Sequence, residues 1–437
     1  MLIRKAILIS VVGGVLFGGY LGLNAWNARL TPEKIAAGKV LFEHEYMTGD
    51  SLCGSGDGLG PVFNARSCAA CHFQGGLGGS SGNRFNVVGF ELKPQESNAG
   101  HVTGVVHKSA TEKSLQESKE HLRTIFPLVT EMVTVTDPGQ MYGANCESST
   151  PATQRKVPKV MDPLVFHQLN SPALFGVGLI DDISELSVGL HGHKRMAQVI
   201  GNEFSGDFTG NRIGMVNRVD GRVGKFGWKG QFSSLENFVA SACAMEIGLT
   251  NSLHSQPVAK EHRADKTAEL DMTRKQLHEL VCFVKSLPRP EQVLPIDPQK
   301  LTRVMRGQTL FALAGCADCH IENFSGIPQI YSDFHLYNLE PVTALPRGEG
   351  YTDGKAEEEF DFDRSHPHPD QWQTPALWGV ADSAPYFHDG GSRTLQDAIL
   401  RHKGQAKSSY DRFTKMPSKD QDSLVAFLKT LKAPIQK

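Results

Sequence analysis

The 437-residue sequence has no surplus of charge: 45 Lys and Arg stand against 47 Asp and Glu, for a formal net charge of −2. No long basic run breaks that balance, so the chain lacks the positive field of a nucleic-acid-binding face. Nor does the composition carry the mark of disorder, and the length suffices for two or more domains with full cores. Near the N terminus there is no lipobox cysteine, and Asn24-Ala25-Trp26-Asn27-Ala28 offers only a poor small-x-small cleavage site. Cysteine is sparse as well, at eight residues.

Four of those cysteines fall in two pentapeptides of one form, Cys68-Ala69-Ala70-Cys71-His72 and Cys316-Ala317-Asp318-Cys319-His320. Two thiols on one short turn can form thioethers with the two vinyl groups of a haem, and the adjacent histidine then lies under the iron as an axial ligand. Two copies therefore predict two covalently bound c-type haems, with His72 and His320 on the irons. The remaining Cys53, Cys146, Cys243 and Cys282 allow either two disulfides, Cys53 with Cys146 and Cys243 with Cys282, or four buried thiols.

Residues 1–30 read as an export signal: Arg4 and Lys5 precede a charge-free, glycine-rich apolar run from Ala6 to about Leu23. The run is nearly long enough to cross a bilayer, so the segment is expected either to be cleaved or to stay as an inner-membrane anchor. Either outcome places the bulk in the periplasm, where bacteria attach c-type haem.

Around the two haem motifs the chain echoes itself. Gly38-Lys39-Val40-Leu41-Phe42 answers Gly307-Gln308-Thr309-Leu310-Phe311, each in a helical pattern ahead of its motif. Ser171-Pro172-Ala173-Leu174-Phe175-Gly176-Val177 answers Thr374-Pro375-Ala376-Leu377-Trp378-Gly379-Val380, and Trp228-Lys229-Gly230 answers His388-Asp389-Gly390. The apolar runs Leu280 to Leu287 and Leu424 to Leu431 close the two copies. Four echoes in one order predict a mainly α protein of two cytochrome c-like haem domains, 31–290 and 295–437, related by duplication. Pro288-Arg289-Pro290 makes the break, and residues 73–165 enlarge the first copy with strand-like runs such as Ile125 to Val135. The acidic stretch Arg347 to Asp370 reads as a solvated loop.

Three stretches resemble the bacterial dihaem cytochrome c peroxidase superfamily, which includes MauG, and within it the dihaem oxidoreductase branch. They are Gly58-Leu59-Gly60-Pro61-Val62-Phe63-Asn64 before the first motif, Trp372-Gln373-Thr374-Pro375-Ala376-Leu377-Trp378-Gly379, and Tyr386-Phe387-His388-Asp389-Gly390 running on to His402. Gln373, where Arg is usual, and Gly391-Ser392, where Arg-Ala is usual, depart from the branch. The resemblance implies reduction of hydrogen peroxide with electrons from a small cytochrome c or cupredoxin. Its alternatives are MauG-like oxidation of another molecule and plain electron carriage.

The resemblance also suggests roles for single residues. It puts His402 in the place of the sixth ligand of the second iron, with Met416 as the rival. Glu246 becomes the acid–base carboxylate over the first haem, and Trp228 the electron relay between the haems. His101, His107 and His121 remain as resting ligands of the first iron or as surface histidines. A calcium ion between the domains belongs to the superfamily pattern, at no position that the residues identify.

Overall fold

The computed structural model describes residues 30–92, 102–125, 164–192, 194, 214–257, 269–339 and 371–435. The export segment, His101, Cys146 and the acidic stretch 347–370 lie outside these residues, as does the expected strand beyond Ile125. Ile125 itself ends a helix, Lys113–Ile125, rather than opening a strand. Among the described residues no helix is long and apolar enough to cross a membrane.

Each copy begins on a capped helix. Thr31 accepts from the Lys34 amide ahead of Pro32–Glu43, and Asp297 accepts from the Lys300 amide ahead of Pro298–Leu313. In both cases a proline fills the first helical position, where no N–H bond is lost. The closing helices are Arg274–Ser286, which starts in a capping box of Thr273 and Gln276, and Ser418–Leu428.

The opening and closing helices of each copy cross at a glycine. A methyl group on Gly38 would collide with the carbonyl of Glu279, and one on Gly307 with the carbonyl of Ser423. Beside these crossings Phe42 meets Phe283 with ring centres 5.1 Å apart, and Phe311 meets Phe427 at 5.4 Å. Leu41, Leu280, Val281 and Val284 extend the first core, and Leu310, Leu424 and Leu428 the second. The paired glycines of the sequence are thus the points of closest helix approach.

The echo at 171–177 and 374–380 packs on itself. The ring of Trp378 covers Gly176, and the ring of Phe175 covers Gly379; both glycines have positive φ, 70° and 75°. Equivalent residues therefore exchange equivalent contacts, as across a two-fold axis. Asymmetry comes from the enlargement of the first copy, which supplies a three-stranded antiparallel sheet in the order Val102–Val106, Val87–Leu92, Leu164–Leu169. The Val88↔Val106 and Val88↔Gln168 pairs set its register.

The expected Cys243–Cys282 bridge is absent. Both are buried thiols, as is Cys53. Cys243 lies on the wall of the first haem cavity, whereas Cys282 turns toward His278, with its sulfur 3.6 Å from Nε2.

Candidate haem sites and the path between them

The first motif is anchored on the opening helix: the Ala69 amide donates to the Phe42 carbonyl, and the His72 amide to Cys68, both at 3.1 Å. His72 Nδ1 lies 3.1 Å from the Gly79 carbonyl. Donation there leaves Nε2 as the nitrogen able to bind a metal, the usual arrangement behind a metal-bound histidine. Burial lowers the His72 pKa to about 4, so the ring is neutral, as ligation requires. Cys68, Cys71 and His72 face a cavity of about 110 Å³ whose walls include Phe42, Val87, Leu169 and Trp228. Apolar walls, two thiols and a neutral imidazole on one face suit a c-type haem.

Glu246 lies on the same cavity wall, half-buried. Helix Leu235–Ala242 runs into a single π-helical turn, Cys243–Ile247, and that turn carries it. Such turns shift the faces of a helix and are common at functional sites. Asn64 holds the residue twice, with its amide donating to the Glu246 carbonyl and its Nδ2 to Oε2, both at 2.8 Å. Gly60 lets the two segments meet, since a Cβ there would stand 2.6 Å from Gly248 Cα. His107 is engaged elsewhere: its Nε2 is 2.8 Å from the Met245 carbonyl, and it does not line the cavity. The side chain of His121 lies outside the description.

The second site repeats the first up to one point. The His320 amide donates to Cys316 at 3.0 Å, Nδ1 is 3.0 Å from the Tyr331 carbonyl, and burial lowers the pKa to about 4. Phe311 lies 6.4 Å from the ring of His320, as Phe42 lies 6.3 Å from that of His72. The cavity is larger, about 330 Å³. Two further imidazoles line it: His388, whose ring is stacked on Trp372, and His402. Helix Leu395–Leu400 starts in a capping box of Thr394 and Asp397, and His402 follows its end with Nδ1 2.8 Å from the Ala398 carbonyl.

The rings of His320 and His402 have centres 6.4 Å apart. With nitrogen about 2 Å from a metal, each ring centre lies roughly 3 Å from it, so two imidazoles on opposite sides stand roughly 6 Å apart. Met416 is placed differently. It caps helix Lys407–Lys415, packs on the second core and does not line this cavity.

Trp228 lines both cavities. Its indole donates to the Asn170 carbonyl at 2.9 Å, and its own carbonyl accepts from the Gln373 amide at 2.9 Å. Asn170 ties the copies together: its amide donates to the His388 carbonyl at 2.6 Å and its side chain to the Ser81 carbonyl at 3.0 Å. Gln373, the departure from the branch, is buried and donates to the Gly224 and Phe334 carbonyls. Trp372 stacks flat on His388, with centres 3.5 Å apart, and carries the Lys229 ammonium 4.0 Å from its ring centre. The supporting residues Asn64 and Asn170 are silent in the sequence; for Asn64, its place in the quoted Gly58 to Asn64 stretch was the available signal.

Among the described residues no group of three or more His, Cys, Asp and Glu could hold a metal ion without haem.

The profile of the family described as "Di-haem oxidoreductase, putative peroxidase" matches residues 160–431. The chain is 25% identical over 173 residues to hydrazine synthase subunit gamma of Kuenenia stuttgartiensis, covering 36% of this chain and 49% of that protein. It thus spans about half the length of that curated relative. A solved structure of Kuenenia stuttgartiensis hydrazine synthase, pressurised with xenon, aligns at 15% identity and a TM-score of 0.35, over 61% of this chain and 73% of the other. The diheme peroxidase BthA from Burkholderia thailandensis aligns at 20% identity and a TM-score of 0.24, over 36% and 51%. Because the family profile covers well over half of the sequence, the chain belongs to the di-haem oxidoreductase family.

Proposed function

We propose that the protein is an exported dihaem c-type peroxidase that reduces hydrogen peroxide in the periplasm with electrons from a small cytochrome c or cupredoxin. The observation that carries this reading is the difference between the cavities. With His72 the described lining of the first cavity holds a carboxylate, Glu246, and no second histidine, while with His320 the second holds His402 and a His388 already stacked on Trp372.

Haem bound at these positions would supply the redox-active iron, with Cys68 and Cys71 or Cys316 and Cys319 as its covalent anchors. Glu246 takes the proton from the near oxygen of peroxide and returns it to the departing oxygen, so that water leaves. Asn64 fixes the carboxylate for both transfers by its bond to Oε2. His320 and His402, rather than Met416, would hold the second haem, as a pair suited to receiving and storing electrons. Of the aromatic side chains on both cavity walls, Trp228 and Phe238, only the indole is readily oxidised, which makes Trp228 the relay. No position for calcium is proposed.

Steady-state consumption of peroxide by the purified holoprotein, with reduced small cytochrome c as donor, tests the reading. Turnover that disappears in Glu246→Gln with both haems retained supports it. A long-lived oxidised state without turnover would instead favour oxidation of another molecule, and inertness to peroxide would leave an electron carrier.

A further inference from the structure

Tyr337 belongs to the short strand Leu336–Asn338, which pairs with Gln371–Gln373 and brings the phenol to the wall of the second haem cavity. The side chain is buried, and its hydroxyl stands beside the sulfur of Cys319, one of the two atoms that would join the protein to the porphyrin. The hydroxyl donates to Asp333 Oδ2 at 2.6 Å. Asp333 is wholly buried, and its Oδ1 accepts from the His335 amide at 3.0 Å. His191 Nε2 lies 4.0 Å from the same Oδ2, and its one-fifth exposed side chain leads toward solvent.

We propose that Tyr337 and Asp333 form a proton-coupled redox pair that holds one oxidising equivalent beside the second haem. The inference rests on the peroxidase reading for the source of that equivalent. Burial and the adjacent carboxylate raise the Tyr337 pKa far above that of an ordinary phenol, so the group does not ionise on its own. Loss of an electron reverses this, because an oxidised phenol is a strong acid and Asp333 is already in hydrogen-bond contact.

Hydrogen peroxide takes two electrons from the haem-loaded protein and two protons from solvent and becomes two waters; of the two oxidising equivalents left, one is met directly by an electron from the donor protein. Tyr337 then supplies one electron to the oxidised cofactor; its O–H bond breaks and an O–H bond forms on Asp333 Oδ2. A neutral tyrosyl radical and a neutral carboxylic acid result. One electron from the donor protein, with the proton returning from Asp333, restores the pair. Trp228 differs in this respect: its N–H meets only a peptide carbonyl, which is no base, so it passes charge without storing it.

Electron paramagnetic resonance of the freeze-quenched ferric holoprotein tests the pair in two arms. One arm uses equimolar hydrogen peroxide; the other uses photogenerated tris(bipyridine)ruthenium(III), an outer-sphere one-electron oxidant. We expect a tyrosyl signal in both arms that narrows on ring deuteration of tyrosine, is lost in Tyr337→Phe, and is lost or much shorter-lived in Asp333→Asn. An unchanged tyrosyl signal in Tyr337→Phe, or none in the wild type with either oxidant, would overturn the pair. If peroxide leaves the resting absorption unchanged while ruthenium(III) yields the Tyr337 signal, the peroxidase reading falls and the pair survives. Should Tyr337→Phe fail to incorporate haem, a nitroso spin trap on the wild type, read by peptide mass spectrometry, locates the radical; an adduct on another tyrosine alone would reject the assignment.

Discussion

The two candidate haem cavities share one local framework and differ in what lines them besides the proximal histidine. Behind each imidazole the arrangement is nearly the same: a backbone carbonyl on Nδ1, a phenylalanine of the opening helix just over 6 Å away, and a glycine where the helices cross. In front of it they diverge. A π turn brings Glu246 to the wall of the first cavity, and a short capped helix leads into His402 on the wall of the second. On the proposed reading this is a division of labour: the framework that would hold haem is repeated, and the elements that carry Glu246 and His402 separate peroxide chemistry from electron storage.

That contrast can be broken from either side. Removing the distal carboxylate with Glu246→Gln should lower peroxide turnover by about 10²–10⁴-fold, the span typical of a positioned acid–base group, without loss of haem. Stopped-flow kinetics with haem content measured in parallel would check it. Altering the distal imidazole with His402→Met should leave both haems attached and raise one midpoint potential, because thioether ligation favours the reduced iron more than imidazole does. Spectroelectrochemistry reads that shift directly.

Smaller changes sharpen the shared half of the comparison. Gly38→Ala and Gly307→Ala should each destabilise the fold by roughly 1–3 kcal/mol through overpacking at the helix crossing, and by similar amounts. Chemical denaturation of the two variants would show whether the crossings are equivalent. Met416→Leu should be the mildest, costing less than about 1.5 kcal/mol as a volume-conserving swap and leaving spectra and potentials unmoved.

Much of the conserved half was legible because it is local. A Cys-x-x-Cys-His pentapeptide carries its chemistry within five residues, and the Gly38 and Gly307 echoes mark the crossings because only glycine permits such an approach. The distal half was harder to read. Asn64 grips Glu246 across 182 residues of sequence, and Asn86 and Asn170 reach Asp389 and His388 across the boundary between the copies. Such pairings depend on tertiary packing, which periodicity does not encode. The strands of the sheet bordering the first cavity were not picked out, since the strand-like run named within 73–165, Ile125 to Val135, is not among them, and the Cys243–Cys282 bridge failed because even cysteine counts say nothing about which way two helices turn their thiols.

The most direct test of the open-versus-closed distinction is electron paramagnetic resonance of the resting ferric protein before and after one equivalent of peroxide. The account predicts two haem signals. One is a low-spin species of bis-histidine type that changes to a histidine–methionine species in His402→Met; the other alone is altered at once by peroxide in the wild type and is slow to respond in Glu246→Gln. Two low-spin haems that ignore peroxide, or a peroxide response at the site governed by His402, would contradict it.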